Sequence, residues 1–554
     1  MTMDGKRRRE VLAGLAATQY DVCVIGGGAS GAGCALDAQL RGMKTLLLDG
    51  GDFGGATSSA STKLIHGGLR YLQQAVTEFD AGQLHVVWIA LRERRRMMRN
   101  APHLTRALRF AVPCFSFVQA VYFGIGVKAY DWLSGRASVG ASHFSGRAES
   151  LRRMPWLKPA RLFGTVRYSD GQFDDARYNM ALVLSSAAAG GDALNYARVV
   201  EFEKSAGGRI VAARVEDQES GNVFRVAARA FVNATGPFSD RLRQLAEPKA
   251  TGRLRPSKGV HILLPLPEHF GDDALLIPGT DDGRVIFAIP WGGRLLVGTT
   301  DTESAADAEM AVTNAEAAFL LRHLNRYLAK PFEIADIVSA MAGLRPLLGS
   351  ADPRKSSKLA RDYEIERDAG SGLISVLGGK WTVYRAMAED AIDAVERSLI
   401  GQATKCRTQD YRLHGYANGT EELSHELTES YAVSAMTARH LVDKFGKGAR
   451  EVLDLTRQEP MLAALLVEGA PQIRAEVVYA AREEMAICVE DILCRRTGLQ
   501  FFDWKLAAQA APVVAEILAA ELHWPPARAG EEAQRYARQV ERLACQLAPR
   551  GIRT

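Results

Sequence analysis

The chain has 554 residues, and its hydrophobic fraction of 47% is typical of a globular protein. This length exceeds what a single hydrophobic core usually supports, so several domains are expected. The formal net charge of +5, from 69 basic and 64 acidic residues, is too small to indicate a nucleic-acid-binding protein.

The cysteines argue against a cross-linked or metal-bound fold. Their number, seven, is odd, and no two of them form a CxxC pair. The pattern favours neither a disulfide framework nor a zinc site, and we expect no metal. A reducing, cytosol-facing compartment is the expected setting.

The first residues resemble an export signal only superficially. Three arginines at 7–9 precede an apolar stretch at 11–17, which is short and interrupted by Gly14. The first predicted strand begins almost directly afterwards, so cleavage would damage the fold. We therefore expect 1–17 to form an amphipathic lead-in helix.

The segment 20–49 has the pattern of a β-α-β dinucleotide-binding unit. An apolar run enters Gly26-x-Gly28-x-x-Gly31, a helical stretch follows, and a second apolar run ends at Asp49. The first glycine permits a tight turn, the second lets backbone approach a pyrophosphate, and the third lets helix pack against strand. Asp49 is positioned to accept hydrogen bonds from ribose hydroxyls.

Later segments are expected to complete the nucleotide-binding sheet. Strands are predicted at 193–203, 209–215 and 224–232, the last of which ends in the sequence NATGP. Another strand, at 372–377, runs into the sequence GGK and is followed by a predicted helix over 382–397. This is a second turn whose backbone N–H groups can bind a dinucleotide.

Residues 92–127 combine a basic run with an uncharged one. Seven arginines lie between 92 and 109, where Glu93 is the only acidic residue, and 18 uncharged residues follow at 110–127. Pro113 and several polar residues weaken the second run as a membrane-spanning helix. The pattern fits a peripheral membrane anchor, and it equally fits a solvated helix face followed by a core segment.

The remaining elements predict two further regions. Residues 285–290 and 294–300 alternate like antiparallel strands joined by a Trp-Gly-Gly turn, which suggests a domain inserted into the first. After residue 400, helices are predicted over 421–455, 461–466, 475–497 and 504–522. The expected fold class is α/β, with a Rossmann-like domain, an inserted antiparallel-sheet domain and a C-terminal all-α domain.

The stretch ATSSASTKLIHGGLRYL at 56–72 closely resembles the FAD-dependent glycerol-3-phosphate dehydrogenases, flavoproteins that oxidise sn-glycerol 3-phosphate to dihydroxyacetone phosphate. Other family segments follow in order and extend the resemblance over nearly the whole chain. They are RPSKGVH at 255–261, VGTTD at 297–301, GLRPL at 343–347, GGKWTVYR at 378–385 and RRT at 495–497.

We expect the chain to divide into four parts. They are a lead-in at 1–17, a discontinuous FAD-binding domain at 18–90, 165–245 and 340–400, a substrate-binding domain at 91–164 and 246–339, and a C-terminal helical domain at 401–554.

FAD is the implied cofactor, bound through strand ends, hydroxyl groups and glycine turns. The implied cofactor residues are Gly26, Gly28, Ser30, Gly31, Asp49, Thr57, Ser58, Ser59, Thr62, Lys63, Leu64, His66, Gly67, Val199, Thr235, Gly236, Gly379, Lys380, Trp381 and Thr382. The chain departs from many relatives at Asp49, where Glu is common, and at Trp381 and Val383, where smaller or hydroxylated residues are common. A polar contact from position 383 is therefore not expected.

The substrate phosphate requires several cationic donors, and guanidinium geometry suits it. The resemblance implies that Arg70, Arg345 and Lys380 surround the substrate, with Tyr71 and Thr382 as neighbouring hydroxyl donors.

Oxidation also requires loss of the substrate's hydroxyl proton, by a base or with help from a cation that stabilises the developing alkoxide. Arg345 is the expected stabiliser, and His66 and His261 are the candidate bases. Either histidine is also compatible with a purely structural role.

The resemblance implies that electrons pass to a membrane quinone and that the protein is cytoplasmic, held peripherally at the inner face of the cell membrane. A glycerol-3-phosphate oxidase, which uses oxygen and yields hydrogen peroxide, is the nearest alternative. A non-catalytic flavin-binding regulator and an enzyme for another hydroxy acid or amine are more distant ones. The oligomeric state, a homodimer included, and covalent attachment of the FAD stay open.

Overall fold

The computed structural model describes Met3 and residues 5–68, 81–349 and 363–547. The strands, labelled β1 to β18 in chain order, are Gln19–Ile25, Thr45–Leu48, Leu64–Ile65, Thr105–Cys114, His143–Gly146, Gly164–Phe173, Asp192–Leu194, Ala197–Lys204, Ile210–Asp217, Val223–Asn233, Ser257–Pro265, Ala274–Ile277, Ile286–Trp291, Arg294–Gly298, Thr302–Glu303, Ser339–Arg345, Tyr363–Arg367 and Ile374–Gly378. The α-helices, labelled α1 to α16, are Gly5–Gly14, Ala29–Leu40, Ala81–Asn100, Phe117–Ser134, Arg147–Arg153, Asp175–Ala188, Ser239–Ala246, Asn314–Asn325, Tyr384–Ile400, Thr420–Tyr431, Ala435–Phe445, Ala449–Gln458, Arg474–Glu483, Leu499–Phe502, Trp504–Leu522 and Pro526–Cys545.

A first sheet with a parallel centre confirms the predicted Rossmann-like arrangement. Its strand order is β17-β18-β10-β1-β2-β7, and the contacts from β18 through β7 are parallel. Strand β2 is apolar and buried throughout, and β1 is buried from Val22 to Ile25, because other elements pack on both faces of the sheet here. The predicted strand at 193–203 is divided into β7 and β8, since Tyr196 adopts a left-handed φ of 52° between them.

A second sheet carries the predicted hairpin of β13 and β14. Its order is β15-β11-β14-β13-β12-β4-β6-β3, with β16 joined to β11 and β5 to β6. Most neighbours are antiparallel, as expected, but β4 and β12 pair in parallel. Strands β3, β6 and β16 lie in sequence ranges expected for the FAD-binding domain, yet they pair within this second sheet.

The uncharged run at 110–127 is neither one helix nor one strand. Strand β4 ends at Cys114, and α4 begins at Phe117, where Ser116 caps the helix by accepting a hydrogen bond from the Gln119 N–H at 3.2 Å. The preceding basic run is also divided, because Arg94 is buried and paired with Asp170 at 2.6 Å. Within the described residues, no helix has both the length and the apolar content required to cross a bilayer.

The chain after residue 400 is helical, as expected, with local differences. The predicted helix at 475–497 stops with α13 at Glu483, and a π-helical turn follows at Asp491–Arg496. The predicted helix at 461–466 is only a short 3-10 turn, Pro460–Ala463. Helices α15 and α16 bury Leu518 and Tyr536 against the second sheet, so the C-terminal part shares that sheet's hydrophobic core.

At the other end of the chain, the predicted lead-in helix is confirmed as α1. Its side chains of Val11 and Leu12 pack into a cluster that covers the first sheet.

Candidate active site

The glycine turn between β1 and α2 has no room for side chains. Gly26 has φ +108°, and a Cβ at Gly31 would lie 1.7 Å from the Gly26 carbonyl oxygen. A Cβ at Gly28 would lie 2.9 Å from the Ser58 hydroxyl oxygen. The turn therefore brings the N-terminus of α2 to the cavity, where helix N-termini favour an anion such as a pyrophosphate, although the Ala29 N–H is donated to Ser58.

A cavity of about 1390 Å³ extends from this turn to the ends of β16 and β18. It is larger than the roughly 300–1,000 Å³ of ordinary small-molecule sites, so it can hold a dinucleotide. The predicted residues that line it are Gly26, Gly28, Ser30, Asp49, Thr57, Ser58, Thr62, Leu64, His66, Val199, Thr235, Gly236, His261, Arg345, Gly379, Lys380, Trp381 and Thr382.

The other predicted residues either lie behind the cavity wall or fall outside the residues that the structure describes. Those behind the wall are Gly31, Ser59, Lys63 and Gly67. Arg70 and Tyr71 lie outside the described residues. Direct contact of the four residues behind the wall with the cofactor stays a prediction. Contact of Arg70 and Tyr71 with the substrate also stays a prediction.

Asp49 closes the glycine turn from the end of β2. Its Oδ2 accepts a hydrogen bond from the Gly27 N–H at 2.6 Å, and its Oδ1 accepts one from the Gly51 N–H at 2.9 Å. Burial raises the pKa of Asp49 to about 6, although both N–H groups favour the carboxylate. Each carboxylate oxygen retains acceptor capacity, so ribose hydroxyls can still be bound.

The loop at 57–59 is fixed to three other segments. The Thr57 hydroxyl donates to the Leu344 carbonyl at 2.6 Å, and the Ser58 hydroxyl accepts from the Ala29 N–H at 3.0 Å. The Trp381 indole donates to the Ser58 carbonyl at 2.9 Å. These bonds join the glycine turn, β16 and the turn after β18 around one cavity.

Trp381, a departure from many relatives, belongs to an aromatic cluster. Its ring meets those of Phe173, Tyr178 and Tyr384 edge to face, at centroid distances of 5.2, 5.8 and 5.6 Å. The large side chain is therefore accommodated by packing, while its indole N–H supports the Ser58 loop.

Lys63 supports the cavity from behind. Its side chain is 1% exposed, its ammonium is paired with Asp175, and it donates to the Ser59 carbonyl at 2.7 Å. Its backbone carbonyl accepts the Phe173 N–H at 3.0 Å, so that group is also used within the protein. Lys63 thus fixes the loop at 57–63 against β6 and α6.

Arg345, at the end of β16, is held in one orientation. Its Nη1 donates to Asp301 at 3.1 Å, and its Nη2 donates to the Thr299 hydroxyl at 2.8 Å and the Thr300 carbonyl at 3.0 Å. A Cβ at Gly259 would lie 2.4 Å from Nη2, so a larger residue there would displace the guanidinium. Burial lowers the pKa of Arg345, against the charge of Asp301.

His261 is buried on β11 beside Arg345. Its Nε2 lies 2.9 Å from the Thr62 hydroxyl oxygen, and burial together with the charges of Arg345 and Lys63 lowers its pKa to about 3. The ring is therefore neutral at neutral pH. Such a weak base is better suited to orienting the Thr62 hydroxyl than to accepting a proton.

His66, Lys380 and Thr382 face the same cavity from two turns. The Thr382 hydroxyl donates to the His66 carbonyl at 3.4 Å, which links the two turns. Gly379 precedes Lys380 with φ +93°, and a Cβ there would lie 2.3 Å from the Met387 methyl carbon. The arrangement brings an ammonium, a guanidinium and two imidazoles to one cavity.

Several cavity residues were not predicted from the sequence. Phe238 and Arg241 follow the NATGP turn, while Tyr196, Glu490 and Arg495 line the region near Asp49. The RRT motif at 495–497 was a visible signal for Arg495, although no role followed from the motif alone.

Comparisons with known proteins agree with this geometry. Residues 21–385 match the family described as FAD dependent oxidoreductase, and residues 406–529 match the C-terminal domain of alpha-glycerophosphate oxidase. The mitochondrial glycerol-3-phosphate dehydrogenase of Arabidopsis thaliana is 38% identical over 95% of this chain and 86% of its own length. The human mitochondrial glycerol-3-phosphate dehydrogenase is 37% identical over 92% of this chain and 71% of its own.

Solved structures of similar proteins include a glycerol-3-phosphate dehydrogenase and an oxidase. The glycerol-3-phosphate dehydrogenase of Bacillus halodurans, complexed with FAD, has a TM-score of 0.79 at 28% identity, with 100% of both chains covered. An L-alpha-glycerophosphate oxidase of Mycoplasma pneumoniae has a TM-score of 0.54 at 16% identity, over 71% of this chain and 98% of its own, and shares the fold. The glycine cradle, the size of the cavity and its hydroxyl and N–H donors fit FAD, which is the cofactor. The chain belongs to the FAD-dependent glycerol-3-phosphate dehydrogenase family.

Proposed function

We propose that this enzyme oxidises sn-glycerol 3-phosphate to dihydroxyacetone phosphate and passes the electrons to a membrane quinone. The observation that carries the proposal is the convergence of Arg345 and Lys380 on the cavity that begins at the glycine turn. A phosphate dianion is best bound by several such cations in a partly enclosed site. Relatives named for this dehydrogenase activity, over nearly the whole chain, support the same substrate.

FAD, when bound, supplies the acceptor for the hydride that leaves C2 of the substrate. The residues of this chain then have distinct proposed roles. Lys380 and Thr382, with Arg70 and Tyr71, bind the substrate. Arg345 stabilises the developing alkoxide, because Asp301 and Thr299 already fix its direction.

The proton of the substrate hydroxyl requires an acceptor, and His66 is the better of the two histidine candidates. Both histidines line the cavity, but burial and neighbouring charges lower the pKa of His261 to about 3, which makes its ring a weak base. We therefore assign proton transfer to His66 and orientation of the Thr62 hydroxyl to His261.

An exposed apolar face on α4 supports contact with a membrane. The exposed fractions are 67% for Phe117, 74% for Val118, 67% for Ile125 and 82% for Trp132. Apolar residues presented together on one surface helix are typical of peripheral membrane proteins. We propose that this apolar face of α4 enters the lipid interface at the inner side of the cell membrane, where the quinone is available.

Basic residues next to this face favour lipid over a second protein copy. The start of this face lies near the segment after α5, because the rings of Phe117 and Phe163 are 6.2 Å apart, and exposed basic side chains lie on α5 and in that segment. These residues are Arg147, Arg152, Arg153, Lys158 and Arg161. Such a border attracts anionic headgroups.

A second candidate is an oxidase that passes the electrons to oxygen. The match of residues 406–529 to a domain named for alpha-glycerophosphate oxidase keeps this candidate in consideration. Both enzymes share the first half-reaction and differ only in how the reduced enzyme is reoxidised.

Anaerobic mixing with sn-glycerol 3-phosphate tests the proposed substrate. We expect the flavin absorbance to bleach with glycerol 3-phosphate and not with glycerol, which lacks the phosphate. Unchanged absorbance with both compounds would contradict the proposed substrate. Equal bleaching by both would contradict the proposed role of the cations in phosphate binding.

A further inference from the structure

Asp52 forms the centre of a buried charge cluster next to the cofactor cavity. It lies three residues after Asp49, in the loop that follows β2, and its side chain is 0% exposed. It accepts hydrogen bonds from Nη1 and Nη2 of Arg496 at 2.8 and 2.9 Å, and from Nε of Arg495. Burial alone would raise the pKa of Asp52, but the two guanidinium charges hold it below its usual value.

Both arginines come from the π-helical turn Asp491–Arg496 in the C-terminal helical part. Arg496 is also paired with Glu484 at 3.2 Å and donates to the Glu484 carbonyl at 2.9 Å. Turns of this kind occur frequently at functional sites. The C-terminal part is thus joined to the loop after β2 by buried, charge-assisted hydrogen bonds, which are among the stronger contacts in proteins.

Arg495 differs from Arg496 because it also reaches the cavity wall. Arg495 and Glu490 line the cavity together with Asp49, Gly51 and Tyr196. Asp49 ends the second strand of the β-α-β unit, so this part of the cavity receives the adenosine ribose. The charge of Arg495 also favours the ionised form of Asp49.

The position of Arg495 is fixed from two sides. Its Nη2 donates to Asp491 at 2.6 Å, and Asp491 accepts a hydrogen bond from the Tyr196 hydroxyl at 2.6 Å. The Tyr196 N–H in turn donates to the Gly51 carbonyl at 2.7 Å. The chain of contacts therefore returns to the loop that contains Asp49.

We propose that residues 490–496 complete the adenosine half of the FAD site, with Arg495 as a positioning residue for the ribose-binding loop at 49–55. The ligand moiety concerned is adenosine diphosphate, which FAD contains and FMN lacks. This inference rests on the cofactor and is independent of the proposed substrate.

The test compares FAD and FMN binding to the full-length protein. Release of FAD from the purified holoprotein on dilution, followed by flavin fluorescence, gives the FAD dissociation constant. The same protein, stripped and reloaded with FMN, gives the FMN constant. For Arg495→Gln we expect FAD to bind about tenfold or more weakly, as for loss of a charge-assisted contact, and FMN to bind unchanged. Arg495→Lys should recover most of the FAD affinity.

Arg482→Gln is the matched control, because it breaks an arginine-carboxylate pair with Glu521 in the same C-terminal part, at 2.6 Å, away from the cavity. Unchanged FAD binding in Arg495→Gln, or equal losses for FAD and FMN, would overturn the proposal. If Arg495→Gln does not fold, Tyr196→Phe tests the proposal instead. This variant removes only the hydroxyl group that donates a hydrogen bond to Asp491. That variant should weaken FAD binding about threefold and leave FMN binding unchanged, and equal effects on both would overturn the proposal.

Discussion

Asp301 fixes the direction of Arg345 at the cavity wall, with 3.1 Å between its Oδ1 and Nη1 of the guanidinium. The Ser257 hydroxyl also donates to Asp301, and Arg284 donates to its backbone carbonyl at 2.7 Å. Asp301 ends the VGTTD segment, for which the sequence resemblance supplied no role. This contact explains why an acidic residue, Asp301, lies beside Arg345 although Arg345 is expected to attract the anionic substrate: Asp301 orients the guanidinium.

Asp301→Asn should slow flavin reduction by glycerol 3-phosphate roughly 10- to 100-fold, because a charge-assisted hydrogen bond of about 1.5–3 kcal/mol is lost. The FAD content should not change. Stopped-flow absorbance under anaerobic conditions measures the rate. Asp281→Asn, which changes contacts with Arg322, Arg326 and His323 and does not touch Arg345, is the control and should reduce normally.

A double variant shows whether Asp301 acts by positioning Arg345 or by a general effect on the fold. Arg345→Ala alone should nearly abolish reduction by substrate while FAD is retained. Adding Asp301→Asn to it should cause no further loss, because Asp301 acts through the missing guanidinium. Additive losses would show that Asp301 acts in another way.

Lys63→Met should destabilise the protein by about 3–5 kcal/mol, because it leaves the carboxylate of Asp175 buried without its partner. Chemical denaturation followed by circular dichroism measures the loss. The double variant Lys63→Met with Asp175→Asn should recover part of it, since no unpaired charge remains. A single variant as stable as the wild type would contradict the structural role given to this pair.

His103 should make folding stability depend on pH. Burial, together with the charges of Arg177 and His414, lowers its pKa to about 3, whereas the unfolded value is about 6.5. Between these two pKa values His103 is neutral in the folded state and protonated in the unfolded state. The free energy of unfolding therefore falls as the pH falls from about 6.5 towards about 3.

The measurement is the stability of the wild type relative to His103→Gln at pH 7 and pH 5. We expect the wild type to lose about 1–2 kcal/mol relative to the variant over this interval. His261 titrates in the same direction but is present in both proteins, so its effect cancels. A difference that does not change with pH would contradict the neutral state of His103.

Val118→Ser combined with Ile125→Ser should weaken binding to anionic lipid vesicles about tenfold or more, because two exposed aliphatic side chains no longer enter the lipid. Vesicle co-sedimentation measures the binding. Val211→Ser with Val223→Ser, which changes exposed valines outside the cavity, should bind like the wild type. Unchanged vesicle binding, or a change in oligomeric state instead, would contradict the role assigned to α4.

Features set by local sequence were predictable. The glycine turn, Asp49, the strands on either side and the turn at 378–380 lie where their patterns indicated, because each requirement concerns neighbours in the chain. Most of the other predicted residues that line the cavity came from the resemblance rather than from spacing, and much of the cavity wall was not predicted.

Features that depend on distant partners were not predictable. The pairs Lys63 with Asp175 and Asp52 with Arg495 join segments separated by 112 and 443 residues, and no periodicity indicates them. The uncharged run at 110–127 has the composition of one apolar element, but Ser116 starts a new helix after β4. The part of that run in β4 is buried, whereas most of its part in α4 is exposed or half-buried, because the packing of the second sheet decides which side meets solvent.

The destination of the electrons is the most direct test of the proposed function. The protein should first be reduced anaerobically with sn-glycerol 3-phosphate and then mixed separately with a soluble quinone and with oxygen, while the flavin absorbance is followed. We predict complete bleaching, followed by reoxidation that is much faster with quinone than with oxygen. Absence of bleaching, or faster reoxidation by oxygen, would contradict the assignment as a quinone-linked glycerol-3-phosphate dehydrogenase.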